Sequence, residues 1–260
     1  MMDRASGKAM SFQNRSVRFA FLAVAACATA AGQPWVTLFD GKTLNGWAVH
    51  EGTGKIVVED GLIVGTPALN RGSTTIPSAP GAQPITLRPP TSTFLCTTRE
   101  YGDFILEFDV KMDPGVNTGV QFRSLISGPN TRVMARRQGK EVEMQLSPDS
   151  VYGYQFEIVD AERGTTGNVY DEGRRSINLD NSMKDRPGAA TAFKDKEWNK
   201  CRIECRGDWI GTWVNGVACA DVHDSMVLRG IIGLQVHNVP PGSDKPNRVW
   251  FRNIRIQDLR

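Results

Sequence analysis

The chain has 260 residues, of which 40% are hydrophobic and 23% are charged. This composition is typical of a globular protein and excludes a disordered, collagen-like or coiled-coil chain. The formal net charge of +3 comes from residues 1–32, because the remainder carries equal numbers of basic and acidic side chains. A neutral body without a basic run gives no electrostatic basis for binding nucleic acid or an anionic membrane surface.

Residues 1–32 have the features of a secretory signal. Basic side chains precede the apolar run 19–26, which is too short to span a bilayer and is followed by small residues. Two cleavage patterns stay open. The small residues 28–30 suit ordinary signal peptidase, whereas the residues ending at Cys27 are similar to a bacterial lipobox, which would leave a lipidated cysteine. Both predict an exported protein, periplasmic or extracellular, with residues 33–260 as one domain.

Four cysteines follow the leader, namely Cys96, Cys201, Cys205 and Cys219. Cys201 and Cys205 lie four residues apart in one predicted strand, which separates their Cα atoms by about 13 Å and prevents a bridge between them. No cysteine or histidine spacing suggests zinc. We therefore predict that the four thiols are buried as small hydrophobic groups, with any disulfide pairing left open.

Most of the remaining chain consists of runs with strand character. In chain order these runs are 104–110, 119–123, 154–159, 198–205, 209–214, 217–221, 230–237 and 248–256. Asn215-Gly216 is a strong hairpin-turn signal, and no helical period of any length is present. The pattern predicts an all-β, antiparallel β-sandwich, with Trp47, Trp198 and Trp213 in its core.

Two stretches interrupt the strands. The first, 66–91, is rich in proline, which excludes a central strand there. The second, 125–150, is polar and charged. Long insertions in a compact β domain are either functional rims or uninvolved surface loops, and both interpretations stay open.

An ordered series of motifs resembles the 3-keto-disaccharide hydrolase domain family. The motifs lie at 37–47, 99–104, 117–123, 153–158, 169–175, 197–199, 203–207, 212–216, 233–237 and 251–254. The first, TLFDGKTLNGW, is similar to the family opening LFNGKDLSGW, and the resemblance runs from Trp35 to Leu259. It implies a concanavalin A-like lectin/glucanase jelly roll that acts on the glycosidic bonds of 3-keto-glycosides, including 3-keto-disaccharides.

Strand parity predicts that several polar side chains within these motifs share one face. Alternate residues of a strand point to the same side, and the apolar residues between them face the core. The polar set is Asn117, Gln121, Arg123, Gln155, Glu157, Gln235 and His237. These side chains suit a hydroxyl-rich ligand and are candidate substrate contacts, although a solvated outer face would show the same alternation.

Candidate catalytic residues follow from the chemistry of the side chains. His237 is the candidate base, because imidazole titrates near neutral pH. Glu157 is a candidate acid, base or metal ligand, and the alternative is an ion pair with Arg123. Tyr170 and Asp171 begin a charged run that forms either a rim of the site, with Tyr170 catalytic and Asp171 binding substrate, or a salt-bridged loop. One histidine and scattered acids do not define a metal site, so a divalent metal is left open.

The predicted reaction is elimination rather than ordinary hydrolysis. Ordinary glycosidases need two carboxylates about 5–5.5 Å or about 6.5–9.5 Å apart, and the glucanase pattern Glu-x-Asp-x-x-Glu is incomplete at 107–112. A 3-keto group acidifies the C2 proton, so a base can remove it, the group at C1 leaves, and water then adds. His237 and Glu157 supply base and acid, and Arg123 or Tyr170 supplies a donor for the enolate oxygen. A non-catalytic carbohydrate-binding module is the alternative.

Overall fold

The structure is a computed structural model that describes residues 33–70, 74–76, 85–87, 90–137, 139–243 and 247–259. The expected leader and Cys27 lie outside these residues. Residues 33–260 form one compact unit by their contacts. Across the described residues, no helix is both long and apolar enough to span a membrane.

The described residues form antiparallel β-sheets with short 3₁₀ turns. The strands are β1 (Trp35–Thr37), β2 (Trp47–Glu51), β3 (Lys55–Glu59), β4 (Leu62–Thr66), β5 (Thr74–Ile76), β6 (Ile85–Leu87), β7 (Ser92–Thr97), β8 (Phe104–Met112), β9 (Thr118–Ile126), β10 (Arg132–Arg137), β11 (Lys140–Gln145), β12 (Val151–Ile158), β13 (Val169–Glu172), β14 (Asn199–Arg206), β15 (Trp209–Val214), β16 (Val217–His223), β17 (Ile231–His237) and β18 (Val249–Asp258). The 3₁₀ turns span Ala161–Arg163, Met183–Asp185 and Ala189–Thr191.

Two large sheets pack face to face. The eight-stranded sheet has the order β16-β15-β14-β8-β18-β4-β3, with β1 also pairing with β18. The six-stranded sheet has the order β13-β12-β9-β17-β7-β2. Phe108 of the first sheet and Phe156 of the second meet edge to face, with ring centroids 5.6 Å apart. The expected all-β, antiparallel sandwich of the jelly-roll class is therefore confirmed.

The core lies between the sheets because inward positions alternate along the strands. On β8, Phe104, Leu106 and Phe108 are buried with at most 1% of their surface exposed, and Phe156 and Ile158 on β12 are fully buried. Each large apolar side chain removed from water contributes about 1.5–3 kcal/mol. Asn215 and Gly216 have φ values of +49° and +84°, as the predicted hairpin turn requires.

The burial predicted from the sequence is correct for the four cysteines and for only one of the three tryptophans. Cys96, Cys201, Cys205 and Cys219 are all buried and unbridged, which confirms the prediction. Trp47 is also in the core. The same prediction is wrong for the half-buried Trp198 and Trp213, whose rings lie beneath guanidinium groups on the outer face of the eight-stranded sheet.

The two interrupting stretches contain additional strands. In the proline-rich stretch, β5 and β6 form a separate two-stranded sheet, and its remaining described residues flank the six-stranded sheet. In the polar stretch, β10 and β11 form a hairpin that the sequence did not predict.

A bulge in β9 determines the shape of the six-stranded sheet beside the site. The pairing register with both neighbouring strands shifts around Arg123, where φ is +46°, and Gly153 of β12, with a φ of +135°, lies opposite the bulge. Beyond the bulge, Val151 packs with Phe94, Cys96 and Ile231 in a second apolar cluster. Because a bulge bends a strand, this end of the two strands departs from the regular sheet.

The segment leading into β12 is attached to the opposite edge of the same sheet. The Asp149 carboxylate accepts a hydrogen bond from His50 Nδ1 at 2.6 Å and another from the Glu51 backbone amide at 3.1 Å. The Val151 amide in turn donates to the Glu51 carboxylate at 3.1 Å. Residues 149–151 therefore cross to β2 and cover one part of the sheet.

Candidate functional site

The side of the six-stranded sheet that faces away from the main core carries most of the candidate residues, and we call it the polar face. Gln121 on β9 lies opposite Gln155 on β12, and Gln155 lies opposite Tyr170 on β13. Gln235 and His237 lie on the same side of β17, which pairs directly with β9. Antiparallel pairing places the side chains of opposed residues on one side. The structure thus brings these five predicted residues together.

A chain of side-chain hydrogen bonds runs along the polar face and ends at a carboxylate. Ser124 Oγ donates to Gln121 Oε1 at 2.6 Å, and Gln121 Nε2 donates to Gln155 Oε1 at 2.9 Å. Gln155 Nε2 then donates to Glu157 Oε2 at 3.0 Å. The other carboxylate oxygen, Glu157 Oε1, accepts from Asn117 Nδ2 at 3.1 Å. Both oxygens of Glu157 are therefore fixed by neutral amide donors.

The environment of Glu157 favours its protonated form. Burial is the largest influence and raises the pKa of this carboxyl, because a charge is poorly solvated away from water. The amide donors of Gln155 and Asn117 and the charge of His237 act in the opposite direction and only partly compensate. Glu157 therefore retains its proton to a higher pH than an ordinary glutamate does, as a general acid must.

His237 is held in one tautomer by its neighbour. Its Nδ1 lies 2.8 Å from the carbonyl oxygen of Asn238. A carbonyl can only accept a hydrogen bond, so Nδ1 carries the proton and Nε2 carries the lone pair when the ring is neutral. The ring is half-buried at the end of β17. This arrangement is suited to a general base.

Gly119, which lies opposite Glu157, leaves room for the hydrogen bond from Gln155 to Glu157. A Cβ atom at this position would lie 2.7 Å from Cγ and Cδ of Gln155, closer than such atoms approach. The glycine therefore provides the space in which Gln155 reaches Glu157. The group that approaches the glycine closely is a side chain of the protein itself.

The predicted alignment of Arg123 with the polar face is wrong. Its fully buried guanidinium donates to the carbonyl oxygens of Gly102 and Gly207 at 2.7 and 2.6 Å, and to Asp103 Oδ1 at 2.8 Å. The extra residue of the bulge reverses the parity of β9, so that Ser124 takes the expected place. Arg123 consequently forms no ion pair with Glu157 and offers no donor to an enolate on this face.

Asp171 is also turned away from the polar face. It lies opposite the core residue Tyr154, is fully buried, and accepts hydrogen bonds from the guanidinium groups of Arg174 and Arg175. Arg175 also donates to Asp224 at 2.7 Å. The salt-bridged loop is therefore the interpretation that the contacts favour, and the assignment of Asp171 as a substrate contact is wrong.

A second carboxyl with a raised pKa, that of Glu51, was not predicted from the sequence. Glu51 lies at the end of the edge strand β2 with a φ of +62°, which turns its carboxyl from the regular strand direction. It lines a cavity of about 80 Å³ together with Ser92, Phe94 and Glu172. Burial raises the pKa of Glu51 to about 7. The direction of the Glu51 side chain depends on an irregular backbone angle, which no repeating sequence pattern reveals.

The described part of the chain contains no group of three or more His, Cys, Asp or Glu side chains placed to hold a metal ion. At Glu157, the proposed ligand, each carboxylate oxygen already accepts a hydrogen bond from an amide group. These two amides orient the carboxyl, and a carboxylate oxygen that accepts one hydrogen bond keeps a second lone pair.

Comparison with known proteins places the chain in a family. Residues 34–257 match the family described as the 3-keto-alpha-glucoside-1,2-lyase-like domain. The chain belongs to this family. The 3-keto-alpha-glucoside-1,2-lyase-like domain therefore makes up nearly all of residues 33–260, which confirms the sequence resemblance and gives the protein a carbohydrate-active role.

Several solved structures are similar to this 3-keto-alpha-glucoside-1,2-lyase-like domain. A putative glycosyl hydrolase from Parabacteroides distasonis is 18% identical, with 87% of this chain and 94% of that chain covered and a TM-score of 0.49. The carbohydrate binding module CBM66 from Bacillus subtilis is 14% identical, with coverage of 82% and 95% and a TM-score of 0.45. A Bacillus licheniformis beta-glucanase is 12% identical, with coverage of 89% and 100% and a TM-score of 0.44. No curated protein matches the chain significantly.

Proposed function

We propose that this protein is an exported lyase or hydrolase that cleaves the glycosidic bond of 3-keto-glycosides, among them 3-keto-disaccharides. The observation that carries the proposal is the placement of Glu157 and His237 on the polar face. Glu157 lies opposite Gly119, which lies opposite Gln235, and His237 is on the same side of β17 as Gln235. The half-buried carboxyl of Glu157 has a raised pKa, which a positive charge on His237 lowers only in part. An acid and a base with separate roles are what elimination next to a ketone requires.

The chemistry uses the two groups in turn. His237 Nε2 removes the proton from C2, and the electrons of that bond form an enolate with the C3 carbonyl. The enolate then collapses to a C1=C2 double bond, the bond from C1 to the leaving oxygen breaks, and Glu157 gives that oxygen its proton. Water adds to C1 while the Glu157 carboxylate takes its proton and His237 returns a proton to C2. Tyr170 supplies the donor for the enolate oxygen in place of Arg123.

The amides beside Glu157 have a positioning role in this scheme. Gln155 and Asn117 each donate to one carboxylate oxygen, and Gln121 holds Gln155 in place. A general acid is effective only when its proton is aimed at the leaving group. The hydrogen bonds support a fixed orientation of Glu157, so Gln121, Gln155 and Asn117 act through the carboxyl in addition to any contact with the sugar.

The test of this function is turnover of a 3-keto-disaccharide labelled with deuterium at C2. We expect release of the 3-keto-monosaccharide, together with a primary isotope effect or exchange of the label with solvent. Direct displacement at C1 would leave the label in place and show no such effect. Full retention of deuterium without an isotope effect, under conditions where chemistry limits the rate, would exclude elimination.

A non-catalytic carbohydrate-binding module is the second candidate. It is favoured by the satisfied hydrogen bonds of Glu157, because a carboxylate held by two amides also serves as a fixed acceptor for sugar hydroxyl groups. This candidate predicts binding of the 3-keto-disaccharide without release of any product. A calorimetric titration run beside the turnover assay separates the two functions.

A further inference from the structure

A cleft of about 610 Å³ opens on the outer face of the eight-stranded sheet, and we call it the outer cleft. Its floor is formed by β8 and β18, which pair with each other, and its walls are the loop after β1 and Lys200 of β14. The first and the last motifs of the sequence meet here, because the loop belongs to 37–47 and the floor includes the polar residues of 251–254. The polar face belongs to the other sheet and lies on the opposite side of the sandwich.

A bulge in β18 concentrates polar side chains in the floor of the outer cleft. The pairing of β18 with β8 shifts by one residue between Arg252 and Arg255. The extra residue, Asn253, has a φ of +52°, and it is exposed and lines the cleft. A regular strand turns every second side chain toward the core, whereas this bulge leaves Arg252, Asn253 and Arg255 all on the outer face.

The charged side chains of the outer cleft balance one another. Three carboxylates and three cations line it, namely Asp40, Glu107, Asp109, Lys200, Arg252 and Arg255. Arg255 donates to Glu107 at 2.6 Å, and Arg252 donates to Asp109 at 3.2 Å. A charged ligand would meet as much repulsion as attraction here, whereas hydroxyl groups can donate to the carboxylates and accept from the cations. The lining therefore favours an uncharged, hydroxyl-rich ligand.

Several of these polar groups keep hydrogen-bonding capacity that a ligand can reach. The two hydrogen bonds to Asp109, from Arg252 and Asn253, both go to Oδ2. Within the described residues, Asp109 Oδ1 accepts no hydrogen bond, and this atom is not buried. Lys200 lies directly opposite Asp109, is 61% exposed, and has its Nζ 3.6 Å from Glu107 Oε2. An acceptor and an ammonium group on neighbouring strands can together bind adjacent hydroxyl groups of one sugar.

The outer cleft is suited to binding a glycoside rather than to cleaving one. Glu107 and Asp109 are the two carboxylates of the incomplete glucanase pattern at 107–112. Burial alone would raise the pKa of Glu107, but a hydrogen bond from Arg255 and the charge of Lys200 lower this pKa overall. A carboxyl that stays ionised has no proton to give to a leaving group.

We propose that the outer cleft is a second carbohydrate-binding site, which holds a neutral, glucose-containing oligosaccharide away from the polar face. Asp109 Oδ1 and Asn253 Oδ1 accept hydrogen bonds from its hydroxyl groups, and Lys200 donates to them. Glucose is the expected sugar because the family description names an alpha-glucoside. The inference goes beyond the lyase reaction, and it needs only the carbohydrate-active role of the family.

The test is a calorimetric titration with three unoxidised sugars, namely trehalose, maltotetraose and cellotetraose. The variants are Asn253→Gly and Lys200→Met. Glycine adopts the positive φ of position 253 readily, and neither side chain belongs to the main core, so both variants should fold. We expect at least one sugar to bind wild type in the millimolar range, and each variant to bind it about tenfold more weakly. Lys55→Met, on the exposed edge strand β3 of the same sheet, is the matched control and should bind as wild type does.

A second comparison separates the outer cleft from the polar face. His237→Ala should bind the same sugar with wild-type affinity, because His237 lies in the other sheet. Asn253→Gly should turn over a 3-keto-disaccharide at the wild-type rate. A binding site shared with the reaction would instead make the two variants lose binding and turnover together.

Each outcome bears on one proposal or the other. Wild-type affinity in both Asn253→Gly and Lys200→Met would overturn the second site, and so would the absence of binding of all three sugars to wild type. Loss of binding in His237→Ala would place the sugar on the polar face and also overturn it. Binding with the expected pattern, but without turnover of any 3-keto-disaccharide, would overturn the lyase proposal alone.

Discussion

The protonation of Glu157 is set by a competition between burial and neutral donors. Because its neighbours Gln155 and Asn117 carry no charge, they stabilise the carboxylate less than an arginine would, and burial keeps the pKa raised. An arginine in contact with this carboxyl would lower the pKa and remove the acid. The displacement of Arg123 from the polar face therefore serves the proposed chemistry.

We expect His237→Ala and Glu157→Gln each to lower kcat by about 10²–10⁴-fold, the usual share of general acid–base catalysis. Neither side chain packs in the main core, so both variants should fold and give circular dichroism spectra like that of wild type. The measurement is turnover of a 3-keto-disaccharide, with the exposed Glu162→Gln as the matched control that should remain fully active. Normal turnover in both site variants would move the active site off this face.

Glu51 gives the folded protein a distinct pH dependence. Its pKa rises from 4.5 to about 7 on folding, so between these values the folded state binds more protons than the unfolded state. Stability is therefore greatest below about pH 4.5 for this group and falls as the pH rises through 7. The contribution is at most about 3.5 kcal/mol, since each pH unit corresponds to about 1.4 kcal/mol.

We expect Glu51→Gln to reduce the loss of stability between pH 5 and pH 8. Glutamine keeps an oxygen for the Val151 amide but cannot ionise. The measurement is urea unfolding of wild type and variant at both pH values. Glu157, whose pKa is also raised, acts in the same direction in both proteins, so the difference between them isolates Glu51. An unchanged slope in the variant would show that Glu51 is not the responsible group.

At the scale of single elements, the bulge in β9 turns Arg123 away from the polar face and gives it a structural role. Arg123 ties β9 to the strand ends around Gly102, Asp103 and Gly207. Removing one member of a buried charged cluster leaves its partners desolvated and unpaired. The arginine is thus expected to stabilise the junction between the two sheets.

We expect Arg123→Ala to lower the free energy of unfolding by about 3–5 kcal/mol. Arg123→Lys should recover little of this loss, because one ammonium group cannot reproduce the planar fork of a guanidinium. The measurement is denaturant unfolding at pH 7. As a control, Arg132→Ala removes an exposed ion pair with Glu143 and should cost less than about 1 kcal/mol. Wild-type stability with lost sugar binding in Arg123→Ala would return Arg123 to the binding site.

At the scale of the whole molecule, the proposed export can be tested on the natural product. We expect the first 26–32 residues to be absent from the mature protein, since a positive leader with a short apolar run is removed on secretion. Mass spectrometry distinguishes the two patterns, because a diacylated Cys27 supports the lipoprotein and an unmodified terminus beyond Ala30 supports soluble release. An intact Met1 on a protein recovered from the cytosol would contradict both.

The sequence alone was sufficient for features that depend on local geometry. The β-rich run 104–110 predicted a strand, and β8 spans Phe104–Met112. Asn215-Gly216 predicted a hairpin, because these residues adopt positive φ values readily. Alternation of side chains predicted the shared side of Gln121, Gln155 and Glu157, since no bulge falls between Thr118 and Gln121 or between Tyr154 and Ile158.

Tertiary structure decided the features that depend on pairing between distant segments. The bulge at Arg123 exists only when β9 pairs with β17, and one extra residue reverses every side chain beyond it. Trp198 and Trp213 have an apolar character that predicts burial, but alternation does not tell which face of a sheet is covered, and both stack beneath cations on the outer face. The side of the sheet on which Asp171 lies was decided by its pairing opposite Tyr154, and the direction of Glu51 by an irregular backbone angle. Neither leaves a periodic trace in the sequence.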